Sequence, residues 1–199
     1  MGGAFTLPTP TATSLRYGQS KREVFSLNPG QPQPNEYAAF YGGYIAKAQA
    51  VTDPIAALDA QAAETLTFLK TLSPTQQTHR YADGKWSVKE VVNHLSDAER
   101  IFAYRALRIA RNDKTPLAPF DENPYVAAAE ADRLEWSALL RELEAVRQST
   151  IQTLRNLPDA AWTRTGIASG NPISLRALAF IMYGHVAHHI GILRERYLL

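Results

Sequence analysis

Trp86-Ser87-Val88-Lys89-Glu90-Val91-Val92-Asn93-His94-Leu95 is the stretch on which the fold turns. Ser87 and Glu90 form a capping box, in which each side chain satisfies a backbone N–H that the first helical turn leaves free. Trp86 and Val91 stand at the two positions of a hydrophobic staple. A helix therefore begins at Ser87. Val91, Leu95, Phe102 and Ile109 carry its apolar stripe at helical spacing to about Arg111. His94 shares a face with Val91, Ala98, Ile101 and Arg105. A histidine in such company is ordinarily a satisfied core residue, so any other role needs partners from elsewhere in the chain.

Those partners sit near the end. Leu175 to Leu199 is a long, mostly apolar run that reads as a second helix, capped by Ser174 and stapled by Ile173 and Leu178. It contains Gly184-His185-Val186-Ala187-His188-His189, and so three of the chain's five histidines. His185 and His189 are four apart, which puts both rings on one helical face with Cβ atoms about 6 Å from each other. Such a pair can offer two nitrogens to one metal ion, and His94 can supply a third. Asp97, one turn past His94, can accept its second ring N–H. Asp97 and Glu99 read equally as surface charges paired with Arg100 and its neighbours.

Two further helices complete the set. Thr52-Asp53-Pro54 starts one, with Leu58, Ala62, Leu66, Leu69 and Leu72 at helical spacing, and it stops before Pro74. Another runs from about Asp132 to Leu157 with Trp136, Leu140, Leu143, Ile151 and Leu154 on one side and many Glu and Arg residues on a solvated face. Leu69-Lys70-Thr71-Leu72 before Pro74 is echoed by Leu154-Arg155-Asn156-Leu157 before Pro158. Each is followed by a polar excursion and then by an apolar residue with Ser. The chain thus reads as two helix–excursion–helix hairpins joined by a long, Pro-rich, aperiodic link over 112–125. That pattern predicts an all-α four-helix bundle of up-down-down-up order. His94 then lies about 10 Å into its helix and His189 about 14 Å from the end of an antiparallel one, which nearly levels them.

Outside the bundle, residues 1–34 carry five prolines among Ser, Thr and Gln and read as an extended arm, leaving 35–199 as the domain. Tyr37, Phe40, Tyr41 and Tyr44 form the apolar face of a short helix interrupted at Gly42-Gly43. His79 reads as a solvated loop residue. The net charge is +2 and the charges are interleaved, so no nucleic-acid stripe is present. No uncharged apolar run nears the ~18 residues of a membrane span, and no secretory signal is visible. The absence of cysteine excludes disulfides and cysteine nucleophiles and fits a cytoplasmic protein.

Trp86-Ser87-x-x-Glu90-x-x-x-His94-Leu95-x-Asp97-x-Glu99 together with His185-x-x-His188-His189 resembles the signature of the DinB/YfiT-like superfamily, and the match runs from about Asn35 to Tyr197. The resemblance implies an up-down-down-up bundle, usually a homodimer. It implies a divalent metal, often nickel or zinc, at the positions of His94, His185 and His189, with His188 facing away. Members with a known role include thiol-dependent enzymes that join or isomerise substrates using small cellular thiols. Three histidines on a divalent cation leave a position open, as catalytic sites do. Water there can lose its proton near neutrality, and a small thiol can bind as the thiolate. No general base is fixed by the sequence; Asp97, Glu99 and Tyr183 are the candidates by position. Three readings stay open: a metal-dependent hydrolase or thiol transferase, a metal- or ligand-binding stress-response module without turnover, and a bundle whose histidines are merely core residues.

Overall fold

The computed structural model describes residues 28–198, so residues 1–27 of the arm expected over 1–34 lie outside the described residues. The elements in chain order are α1 (Gly42–Lys47), α2 (Pro54–Lys70), α3 (Pro74–Gln77), α4 (Val88–Ala110), α5 (Glu122–Ala129), α6 (Trp136–Arg155), β1 (Thr165–Ala168), β2 (Asn171–Ser174) and α7 (Leu175–Ile192), the last continued by a π-helical turn over Leu193–Tyr197. Among these, α2, α4, α6 and α7 make the four-helix bundle.

The expected caps close these helices. Asp53 accepts the N–H groups of Ile55 and Ala56 at 2.9 and 3.0 Å. Ser87 accepts the Glu90 N–H at 3.1 Å while Glu90 accepts the Ser87 N–H at 2.8 Å. Ser174 accepts from Ala177 at 3.0 Å. Each bond satisfies a donor that the first turn cannot, and each is worth roughly 1 kcal/mol.

Polar contacts fix the helix directions. Lys89 Nζ donates to the Leu134 carbonyl at 2.6 Å and Arg100 pairs with Glu142 at 2.7 Å, so α4 and α6 run parallel. Arg155 near the end of α6 reaches Asp59 near the start of α2 at 2.9 Å, an antiparallel pair. Tyr197 donates to the Trp86 carbonyl at 2.8 Å, which sets the end of the chain against the start of α4. The order is up, down, down, up. Yet the two helices of each sequence half are not neighbours: α4 packs on α6 and α7, α2 packs on α6 and α7, and the pairs α2/α4 and α6/α7 lie across the diagonals. The hairpins expected from the internal echo are therefore crossed over the bundle instead of closed side by side.

Three expectations need correction. The link over 112–125 ends in α5, which packs against α4, and α6 begins at Trp136 rather than near Asp132. Asp132 is engaged elsewhere, taking the Ser87 hydroxyl at 2.5 Å and Arg80 at 2.7 Å. The excursion over 158–172 holds an antiparallel hairpin in which Thr165 pairs with Ser174 and Ala168 with Asn171, turning through Ser169 and Gly170 at positive φ. Gly42 and Gly43 open α1 instead of interrupting a helix.

Buried apolar side chains fall into two clusters. One gathers Phe102, Ile109, Ile151, Leu154 and Phe180 at one end, and the other Leu69, Val92, Leu95, Leu139 and Leu193 at the opposite end. Between them, at a common level of the four helices, lie the buried polar residues Gln61, His94, Glu99, Arg147 and His185.

Candidate metal centre

His94 and His185 are buried at 5% and 4% exposure, and His189 is half-buried at the edge of the same cluster. Because α4 and α7 are antiparallel neighbours, the three rings converge. Their centroids are 5.0 Å apart for His94–His185, 4.9 Å for His94–His189 and 4.6 Å for His185–His189. One ring nitrogen from each lies within 4.8 Å of the other two, and the Nε2 atoms of His94 and His185 are 3.0 Å apart. Nitrogens at that spacing can both stand about 2.0–2.1 Å from a single ion, the usual zinc–imidazole distance. The donor set is all nitrogen, with no carboxylate in it.

The electrostatics suit the same purpose. Burial pushes His94 down to about 4, opposed by the charge of Glu122. Burial, with the neighbouring charges of His94 and His188, pushes His189 down to about 3. His185 is held well below its ordinary value by burial first and then by His189 and His94. All three are neutral near pH 7 and keep the lone pairs that ligation needs. Three neutral imidazoles packed this tightly, with few hydrogen-bond partners of their own, fit a divalent cation better than a plain core.

The walls come from several elements. Trp86 lies 4.9 Å from the His94 ring, Phe102 lies 5.6 Å from His185, and Tyr44 of α1 lies 5.3 Å from His185. Tyr44 reaches this position because α1 presses on α7 at Gly184, where a Cβ would stand only 2.0 Å from the Tyr44 carbonyl oxygen. Trp86 also lines an open cleft of about 340 Å³ with Arg80, Lys85, Asn123 and Val126, and none of the three histidines lines it. It is large enough for a small organic molecule.

Of the other residues read from the sequence, His188 falls outside the cluster and meets Tyr44 edge-on, with ring centroids 5.5 Å apart. His79 is exposed, at 6.2 Å from the Tyr197 ring. Asp97 does not reach His94; Arg100, one turn on, holds its carboxylate at 3.4 Å and bridges it to Glu142. Glu99 is no surface charge. It is 2% exposed and pairs through both oxygens with Arg147 at 2.7 Å. Tyr183 contributes its backbone carbonyl, which accepts from Gln61 at 2.9 Å. Sequence reasoning missed Gln61 and Arg147, and it read Tyr44 only as part of the apolar face of a short helix. For Arg147 a signal existed: it lies midway between Leu143 and Ile151 on the buried stripe of its helix.

Comparison with known proteins agrees with the fold. A protein of Bacillus subtilis (strain 168) named "Putative metal-dependent hydrolase YfiT" is 25% identical over 130 residues, covering 64% of this chain and 72% of that protein. A protein of Geobacillus thermodenitrificans (strain NG80-2) named "Putative metal-dependent hydrolase" is 28% identical over 120 residues, 59% of this chain and 67% of its own length. The solved structure of the Bacillus subtilis YfiT, described as having an unusual four-helix bundle topology, superposes with a TM-score of 0.66 at 23% identity, covering 84% of this chain and 93% of that one. The family model of the DinB superfamily matches residues 57–193, well over half of the sequence, and this chain belongs to the DinB superfamily.

Proposed function

We propose that the protein is a metal-dependent enzyme that uses a divalent cation, nickel or zinc, held by His94, His185 and His189 to act on a small molecule. The observation that carries this reading is the convergence of three neutral imidazole nitrogens within 4.8 Å. The all-imidazole donor set suits nickel and zinc. When bound, such an ion supplies Lewis-acid activation of a donor at its open position.

The chain's own residues do the rest. The three histidines stay unprotonated and fixed in direction. Trp86 against His94, and Phe102 and Tyr44 against His185, keep bulk water from those two rings, so that charges act there at low dielectric, while half-buried His189 forms the open edge. Hydrolysis is the reaction favoured by the names of the relatives. Transfer to a low-molecular-weight thiol is the second reading, and because the chain has no cysteine the thiol is a co-substrate.

The test is elemental analysis of untagged protein and of the three single His→Ala variants. Activity is then assayed on a nitrophenyl ester and on a small thiol with an electrophile. One equivalent of metal, lost in each variant, with a chelator-sensitive reaction, is expected. Wild-type protein without bound metal, even after incubation with nickel or zinc, would sink the proposal.

A further inference from the structure

The three histidines occupy only part of the polar layer that divides the core. The remainder is a chain of hydrogen bonds that crosses the whole bundle. Glu99 on α4 takes Arg147 Nε and Nη2 at 2.7 Å each. Arg147 on α6 donates through Nη1 to Gln61 Oε1 at 3.1 Å and to the Leu58 carbonyl at 3.2 Å, both on α2. Gln61 Nε2 then donates to the Tyr183 carbonyl on α7 at 2.9 Å. All four helices are thereby linked at one level, and the chain ends two residues before His185.

A buried ion pair is a poor device for stability alone, since apolar side chains of similar volume usually serve as well or better. Its use here follows from where it ends. The Tyr183 carbonyl already belongs to the helical ladder of α7, so the bond from Gln61 adds nothing the helix lacks. It does fix the rotation and height of α7 against α2. On the next residue, Gly184 lets the α1 backbone close in until a Cβ would meet Tyr44 O at 2.0 Å. Residues 183 and 184 are thus held by α2 and by α1, immediately before the first ligand of the pair.

We infer that Gln61, anchored by the Glu99–Arg147 ion pair, is a positioning residue for the metal centre, setting the register of α7 so that His185 and His189 meet His94. This rests on the metal-binding reading above. Groups that orient metal ligands without touching the ion commonly change affinity about 10–100-fold when removed.

Gln61 is the member to alter, because Glu99→Gln would leave the Arg147 charge buried and uncompensated. Gln61→Leu removes both of its bonds. Gln61→Glu keeps an acceptor for Arg147 and, when ionised, removes only the donation to α7. Thr65→Val, one turn along the same face and lining the same shallow cleft, is the packing control. Zinc affinity is measured by chelator competition, the absorption spectrum is recorded on cobalt-loaded protein, and ring ¹⁵N shifts of His185 and His189 are recorded on metal-free protein. We expect both Gln61 variants to bind zinc about tenfold more weakly, with an altered cobalt spectrum and shifted ring resonances, while Thr65→Val matches wild type in all three. Folded Gln61→Glu with wild-type affinity, spectrum and shifts would overturn the inference, and so would Thr65→Val losing affinity equally. If wild-type protein binds no metal, the functional reading fails separately, and unshifted ring resonances in the metal-free Gln61 variants would then dispose of the positioning role as well.

Discussion

An imidazole can bind a cation only as the neutral base, and this protein keeps three of them neutral by burying them. The consequence for stability has a definite sign. An ordinary histidine protonates near 6.5, whereas folded His94 waits until about 4 and His189 until about 3. As the pH falls below 6.5, the unfolded chain takes up protons that these folded rings refuse. The unfolded state binds more protons, so stability rises with pH through this window and is complete above 6.5. Metal-free protein should lose stability from about pH 6.5 down to about 4, with a slope approaching 1.4 kcal/mol per pH unit for each ring. Urea midpoints at pH 7, 6 and 5 measure it, and midpoints that do not move would contradict the burial argument. His189 is the most exposed of the three, so His189→Ala should fold normally and still lose tight metal binding, because two ligands rarely hold zinc. Equilibrium dialysis reads this directly. At this scale the convergence of His185 and His189 was legible because spacing by four on a helix is a geometric statement. The Glu99–Arg147 pair was not, because charges on amphipathic helices are usually solvated, and only the position of Arg147 between Leu143 and Ile151 marked it as buried.

Helix starts with a side-chain cap were the most legible elements, since a cap is a local bond between residues two or three apart, and α6, which has none, was misplaced at its start. Ser87, Asp53 and Ser174 each do what their neighbours in sequence imply. The β1–β2 hairpin was not legible, for it lacks alternating apolar residues and owes its place partly to a distant segment: the Leu117 N–H donates to the Ile167 carbonyl at 2.9 Å and Ser169 N–H to the Leu117 carbonyl at 3.0 Å. Arg105, buried on α4, ties the same region together by donating to the Ala118 carbonyl at 2.9 Å, to Ser169 Oγ at 3.1 Å and to the Tyr41 hydroxyl at 3.3 Å. The contact of α1 with α7 gives a paired prediction. At Gly184 a methyl group would meet backbone of α1, which cannot swing aside as a side chain can. Gly184→Ala should therefore cost about 1–3 kcal/mol and displace Tyr44 from His185. Nothing lies within 4 Å of a Cβ at Gly43, so Gly43→Ala should stabilise by about 0.5–1 kcal/mol through helix propensity alone. Thermal unfolding of the two variants separates close approach from backbone entropy, and equal effects would show that the approach is slack.

At the scale of the molecule, the order of directions was legible from one long link among four amphipathic helices, but the arrangement of neighbours was not. Loop length does not say whether consecutive helices sit side by side or across a diagonal. What selects the diagonal is the polar layer: His94 must face α7 while Glu99 faces Arg147 on α6, and Gln61 must reach both Arg147 and the Tyr183 carbonyl. Placing α2 beside α4 would break these pairings. The same layer makes the molecule responsive to metal as a whole. It separates two apolar clusters, and between them an ion would join α4 to α7, elements far apart in sequence. An unfolded chain cannot gather three such distant rings, so the ion binds the folded state and stabilises it by mass action. At one hundred times the dissociation constant the gain is about 2.7 kcal/mol, which for a chain of this size raises the unfolding temperature by about 5–10 °C. Zinc or nickel added to chelator-treated protein should produce that shift, a chelator should reverse it, and His94→Ala should abolish it. An equal shift in the His94→Ala variant would place the ion elsewhere, and then the side-by-side packing of α4 on α7 would have to be explained by the apolar clusters alone.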